Sequence, residues 1–282
     1  AVAHATRRAL DTIEPKRHPM DLQLTHKHIL ITGGSKGIGL SCAQGFLAEG
    51  ARVTLVSRSA ENLARARQQL AQQFPQATLH TIAADLRDAP SAQRAVDEAE
   101  AIAPVDVLVN SAGAAKRTPP DELSPQVWAD AMQAKYFSYI HVMDPLIKRM
   151  GTRGQGVIVN VVGAGGKFPT PIHMPGGAAN SALMLASSGL AAAYGPKGVR
   201  VNTVNPGLTL TERLKEGMQA DARLNGISVD EAMERANARI PLRRMAQPEE
   251  IADVVVFLAS ARASYVTGAA LILDGAATPT IM

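Results

Sequence analysis

The stretch His28-Ile29-Leu30-Ile31-Thr32-Gly33-Gly34-Ser35-Lys36-Gly37-Ile38-Gly39 decides the architecture. Its apolar run is too short for a buried helix and predicts a strand covered on both faces, as in a parallel sheet. Glycines at 33, 37 and 39 permit a tight turn, and the pattern from 37 to 49 continues as a helix. A strand entering a helix through such a turn points free backbone N–H groups and the positive end of the helix dipole at whatever lies above it, which favours an anion.

Working outward, the same alternation recurs. Strands are predicted at 52–57, 77–83, 105–110, 156–162, 199–205 and 270–274, and helices near 60–73, 89–102, 124–150, 176–194 and 248–259. Ser124 followed by Pro125, and Gln247-Pro248-Glu249-Glu250, are helix openings. The alternation predicts an α/β, Rossmann-type doubly wound parallel sheet with helices on both faces. Residues 208–245 are charged and too long for a simple connection, and are expected to form a helical flap over a ligand site. The expected organisation is a single domain over 23–282 behind an N-terminal extension over 1–22, flexible or foreign to the fold.

Composition excludes several classes. A chain of 282 residues suits one large domain, and 46% hydrophobic against 19% charged residues supports a substantial core. No apolar run approaches the roughly 18 residues of a membrane span. The net charge of +4 raises the question of nucleic acid, but Arg7, Arg8, Lys16 and Arg17 against Asp11 and Glu14 place half of that excess before Met20. No nucleic-acid, membrane or metal partner is expected. Cys42, the one cysteine, falls in a helical apolar pattern with Ile38 and Phe46 and is read as a core residue. Lacking a recognisable secretion signal, the chain is expected in the cytoplasm.

The glycine turn on the first strand of such a chain suits a dinucleotide pyrophosphate, with Gly33, Ser35, Lys36, Gly37, Ile38 and Gly39 as its binding residues. The second strand ends Val56-Ser57-Arg58, where an acid would take the ribose 2′-hydroxyl of NAD; Arg58 and the nearby Lys36 instead favour a 2′-phosphate, hence NADP(H).

Further motifs share a pattern: Ala84-Asp85-Leu86, Asn110-Ser111-Ala112-Gly113, Arg200-Val201-Asn202 through Asn205-Pro206-Gly207 with Thr209 and Thr211, Gln247 to Glu250, Thr267-Gly268 and Asp274-Gly275. With the glycine turn, they make residues 22–276 resemble the classical short-chain dehydrogenase/reductase family, nearest its β-ketoacyl-carrier-protein reductase branch. The resemblance implies seven strands in the order 3-2-1-4-5-6-7. It implies that Asp85 and Leu86 border the adenine, that Asn110, Ala112 and Gly113 border the ribose and nicotinamide, and that Pro206, Gly207 and Thr209 or Thr211 hold the carboxamide. It also implies a homodimer or homotetramer formed through the helices near 124–150 and 176–194.

The family's reaction uses a Ser, a Tyr-x-x-x-Lys pair and an Asn. Here the four tyrosines, Tyr136, Tyr139, Tyr194 and Tyr265, are followed four places on by Ile140, Met143, Gly198 and Ala269, so the pair is absent. Anchored on Val157-Ile158-Val159-Asn160, the Ser position falls on Gly163, the Tyr position on Gly176, the Lys position on Asn180 and the Asn position on Lys135. Tyr194 lies about 27 Å beyond Gly176 at a helical rise of about 1.5 Å per residue, and cannot substitute. Lys and Asn are exchanged between two walls, and two glycines open space that something must fill. Lys135, His173 and Asn180 are the candidate catalytic groups, His173 being aimed by Pro169, Pro171 and Pro175. Three readings remain open at this level: an oxidoreductase on an unknown carbonyl or alcohol with a rearranged proton relay, an inactive nucleotide-binding regulator, or a non-catalytic subunit of a hetero-oligomer.

Overall fold

The structure, a computed structural model, describes residues 20–113 and 117–279, apart from the side chains of Glu216, Ala220, Asp221 and Leu224. Residues 1–19, and with them most of the expected extension, lie outside the described residues. The body begins earlier than 23: Leu22 packs against the core, and its carbonyl accepts a 3.3 Å hydrogen bond from the Ala261 N–H.

Seven parallel strands form one sheet in the order β3-β2-β1-β4-β5-β6-β7. They are β1 (His28–Thr32), β2 (Arg52–Ser57), β3 (Leu79–Ala83), β4 (Val107–Asn110), β5 (Gly156–Val161), β6 (Val199–Pro206) and β7 (Ala270–Leu273). One face carries α1 (Gly37–Ala48), α2 (Ala60–Gln73) and α9 (Pro248–Ala259), packed around Phe46, Leu55 and Val255. The other carries α3 (Ala89–Ile102), α5 (Ser138–Arg153) and α6 (Met174–Tyr194), around Tyr139, Leu146 and Leu183. Burial on both sides explains the unbroken apolar strands. Cys42 is a fully buried core residue, and desolvation pushes its thiol up to about 12, outside the reactive range.

β3 starts two residues later than expected, β5, β6 and β7 end one residue away from the sequence reading, and two further differences have identifiable reasons. β4 starts at Val107, because the Val105 N–H is taken by the Glu100 carboxylate at 2.8 Å. The single helix expected over 124–150 is three segments: α4 (Pro125–Ala131), a π-turn (Met132–Phe137) and α5. The wider turn loosens the carbonyls of Ala134 and Lys135, and the Ser138 hydroxyl donates to both at 3.0 and 3.1 Å. π-turns are rare, and they concentrate at functional sites. The flap contains α7 (Glu212–Asn225) and α8 (Val229–Ala238), opened by Thr211 and Ser228, whose hydroxyls accept from Leu214 N–H and Glu231 N–H. Among the described residues no helix is long and apolar enough to cross a membrane.

Connections run in opposite directions from β1 and β4, which creates the crevice at the strands' carboxyl ends where ligands bind in such sheets. A row of buried polar residues ties those ends together. Thr32 donates to the Asn110 side-chain oxygen at 3.0 Å, Asn110 Nδ2 to Asn160 at 3.0 Å, Asn160 Nδ2 to Ser187 at 2.9 Å, and Ser187 to the Leu183 carbonyl at 2.6 Å. Sheet and α6 are thereby fixed to each other beneath the crevice.

Candidate active site

The glycine turn is built as its sequence requires. Gly33 has φ +67°, and a β-carbon there would stand 2.7 Å from the Ala112 backbone; one at Gly39 would stand 2.4 Å from the Gly33 carbonyl oxygen. The turn and the segment after β4 therefore close on each other with no room for side chains. α1 opens at Lys36 and Gly37 without a side-chain cap, leaving its N-terminal N–H groups for a ligand. Ser35 donates to the Ser57 hydroxyl at 3.0 Å, joining the turn to the end of β2. Thr211 caps α7 while its methyl lies beside Gly37, so the flap closes over the turn.

Arg58 follows β2 and is exposed. Across from it, Asp85 is gripped by Arg87 at 2.6 Å, and that hydrogen bond, with the nearby Arg58 adding to the pull, holds the carboxyl down at about 2. Asp85 is thus a neutralised anion next to Arg58 rather than a competing negative charge, while Leu86 is buried beside it. The uncapped helix, the closed glycines and the cationic end of β2 together fit a nicotinamide dinucleotide with a 2′-phosphate.

The remaining cofactor candidates separate by role. Asn110 is fully buried with its amide committed to Thr32 and Asn160, so it ties strands together, and any ligand contact falls to the backbone of 110–113. Gly113, Pro206 and Gly207 line the cleft. Thr209 is buried, bonding back to the Gly207 carbonyl at 3.3 Å and bridging to Ala246, which makes it a flap hinge. Asn202 and Asn205 bind carbonyls of Val266 and Leu271 and so build the β6–β7 edge.

Gly113, Pro206 and Gly207 open onto a cleft of about 700 Å³. Lys135, Gly163, Gly176, Asn180 and His173 all line it, so residues singled out separately in the sequence do converge. Gly163 has φ +128°, and the space a β-carbon would claim there is held by the Asn180 amide, Nδ2 at 3.1 Å. Asn180 partly fills the opening the glycines leave. The His173 ring covers Gly165, its Cδ2 3.1 Å from the equivalent point, and its buried Nδ1 has no hydrogen-bond partner among the described residues. Burial, with Arg117, Arg213 and Lys135 nearby, lowers the His173 pKa, so the imidazole is neutral at pH 7.

Lys135 projects from the π-turn and is only 7% exposed. Its Nζ donates to the Tyr139 hydroxyl at 2.8 Å and to the Val161 carbonyl at 3.1 Å, while Tyr139 itself donates to that carbonyl at 2.6 Å. An ammonium has three N–H groups; two have protein acceptors, and the third has none among the described residues. Burial first, and the charge of Arg213 second, pull the amine down to about 7. Burial drives the Tyr139 phenol upward, so it stays protonated and orients the lysine. Tyr139 escaped the sequence reading, although Lys135-x-x-x-Tyr139 was visible as the usual pair in reverse order.

The fold and this cleft define a dinucleotide-dependent oxidoreductase framework, and the chain belongs to the short-chain dehydrogenase/reductase family: the family described as enoyl-(acyl carrier protein) reductase matches residues 33–278. Among curated relatives, D-threitol dehydrogenase of Mycolicibacterium smegmatis is 34% identical over 262 residues, covering 92% of this chain and 95% of that protein. L-sorbose reductase of Gluconobacter frateurii, solved with NADPH and L-sorbose, superposes with a TM-score of 0.87 at 30% identity, covering 93% of this chain and 100% of that one. A Pseudomonas aeruginosa PAO1 short-chain oxidoreductase, solved with NADPH and described as containing an atypical catalytic center, gives a TM-score of 0.82 at 29% identity, covering 90% and 98%.

Proposed function

We propose that this chain interconverts a carbonyl and an alcohol with NADP(H), and that Lys135 Nζ is the proton donor and acceptor in place of the missing phenol. The observation carrying this reading is the buried Lys135 amine, held on two oxygens at 2.8 and 3.1 Å with an N–H left over, in the cleft beside Gly113, Pro206 and Gly207. NADP(H), when bound, supplies or accepts the hydride. Reduction then needs a proton for the nascent alkoxide. Lys135 breaks an N–H bond as the substrate O–H bond forms, and the neutral amine regains its proton from solvent.

A donor with a pKa near the working pH is the one general acid–base catalysis favours, and about 7 meets that condition without a phenol. His173, neutral, donates or accepts a single hydrogen bond and orients the substrate oxygen rather than protonating it. Asn180 contributes a second polar wall. Arg58 and Lys36 support NADP(H) over NAD(H), and the NADPH bound in both structural relatives named above agrees with it.

The test is deuteride transfer from C4-deuterated NADPH to a panel of ketoses, polyol-derived ketones and acyl thioesters, read by mass spectrometry of the alcohol. Deuterium in at least one product is expected; NADPH binding with no labelled product from any of them would overturn the reading.

A further inference from the structure

The cleft is far more basic than the chain as a whole. Among the described side chains, Arg117, Lys135, Arg213, Arg235 and Arg239 line it, with Asp274 as the carboxylate beside them. That carboxylate is occupied by Thr278, whose N–H donates at 3.0 Å and whose hydroxyl also bonds to it. Arg235 is paired with Glu231 at 2.6 Å. Among the described side chains, no carboxylate lies within ion-pair distance of Arg117 or Arg239.

These cations come from different parts of the chain. Arg117 follows the segment after β4 and is fixed next to His173, because the Thr118 N–H donates to the Ile172 carbonyl at 2.9 Å. Its guanidinium reaches toward the flap, 3.9 Å from where a β-carbon on Gly217 would stand. Arg213 stands in the first turn of α7, and Arg239 follows α8. Gathering like charges around one concave space raises the local concentration of anions there. The cofactor's phosphates do not account for these charges, since no residue of the 33–39 turn lines this cleft.

Building on the oxidoreductase reading above, we infer that the carbonyl substrate carries a carboxylate or phosphate, received by Arg117 and Arg213 at the mouth of the cleft with Arg239 behind them, while its carbonyl meets Lys135 and His173. Guanidinium groups suit this role because their planar fork matches both anions. Occupancy by an anion offsets the repulsion that Arg213 exerts on the Lys135 ammonium, so the correct substrate also favours the protonated, donating form of its own catalyst. A neutral ketone of the same shape lacks both effects.

The test compares matched pairs on the NADPH-loaded protein: acetoacetate with methyl acetoacetate, and dihydroxyacetone phosphate with dihydroxyacetone. In parallel, malonate and inorganic phosphate are titrated by calorimetry, with glycerol as the neutral control. We expect one charged member to exceed its neutral partner in kcat/KM by about tenfold or more, since charge-assisted hydrogen bonds are at stake. The matching anion binds, and its binding weakens as salt shortens the screening length. Arg117→Gln and Arg213→Gln each remove most of the preference. Arg223→Gln, an exposed change on α7 outside the cleft, leaves it unchanged.

Equal turnover of both members of each pair would overturn the anionic subsite and leave the oxidoreductase reading standing. Anion binding lost in the Arg213→Gln protein, with no carbonyl reduced, would keep the subsite and sink the oxidoreductase reading. Absence of both anion binding and a charge preference overturns the inference.

Discussion

Replacing Lys135 with Met should change how stability depends on pH. The native amine is drawn from its ordinary 10.5 to about 7 by burial. Between those values the unfolded chain holds a proton that the folded one does not, so stability rises with pH across that window, and the penalty is fully present below about pH 7. Taken over the whole shift it is about 5 kcal/mol, at about 1.4 kcal/mol per pH unit. Nearly all of this applies at pH 6.5 and about 2 kcal/mol remains at pH 9. Methionine keeps the chain's length and apolar stem but binds no proton. The Lys135→Met protein should therefore gain on the wild type by about 2–3 kcal/mol more at pH 6.5 than at pH 9. Urea unfolding of both proteins at several pH values in that range measures it, since other titrating groups cancel in the difference. Parallel pH dependences would refute the claim that Lys135 sits in a desolvated, proton-poor site.

Three further outcomes are expected. Asn160→Ala removes the middle of the row joining Thr32, Asn110 and Ser187, stranding a buried amide, and should cost about 1–3 kcal/mol by thermal or chemical unfolding. Gly113→Ala would set a β-carbon 2.1 Å from the Ala134 carbonyl oxygen at φ +76°; the π-turn must yield, so stability should fall by about 1–3 kcal/mol and the Lys135 geometry with it. Arg58→Glu puts an acid at the end of β2 and should shift cofactor preference from NADPH toward NADH by about tenfold or more in Kd ratio, measured by fluorescence titration.

Elements defined by local pattern were legible in the sequence. The strand, glycine turn and helix at 28–49, the strand alternation and the helical flap all follow from periodicity and turn chemistry. Cys42 was correctly read as core from its helical register with Phe46. Motif resemblance added the sheet order. Features that depend on what comes together in three dimensions were not legible. The π-turn at Met132–Phe137 holds the Ala134 carbonyl against Gly113, two segments whose approach no local propensity encodes. Asn110 belongs to a motif that the resemblance sets beside the ribose and nicotinamide, and only the fold shows its amide bonded across to β1 and β5. Tyr139 starts no Tyr-x-x-x-Lys pair and so carries no signal of that kind, though its hydroxyl accepts from Lys135 Nζ. The arginines of the flap are visible only as part of a charged stretch over 208–245, and the cleft collects them with Arg117 and Lys135.

The most direct test of Lys135 as proton donor is the pH dependence of kcat/KM for hydride transfer in the wild type and in Lys135→Met, with any carbonyl the wild type reduces, alongside NADPH affinity. The account predicts a wild-type reduction rate that falls as pH rises through about 7, as the amine loses its proton. In the variant that break should vanish, with a rate about 10²–10⁴-fold lower and NADPH still bound. Hydride transfer at the wild-type rate in Lys135→Met, with the break at pH 7 intact, would contradict it.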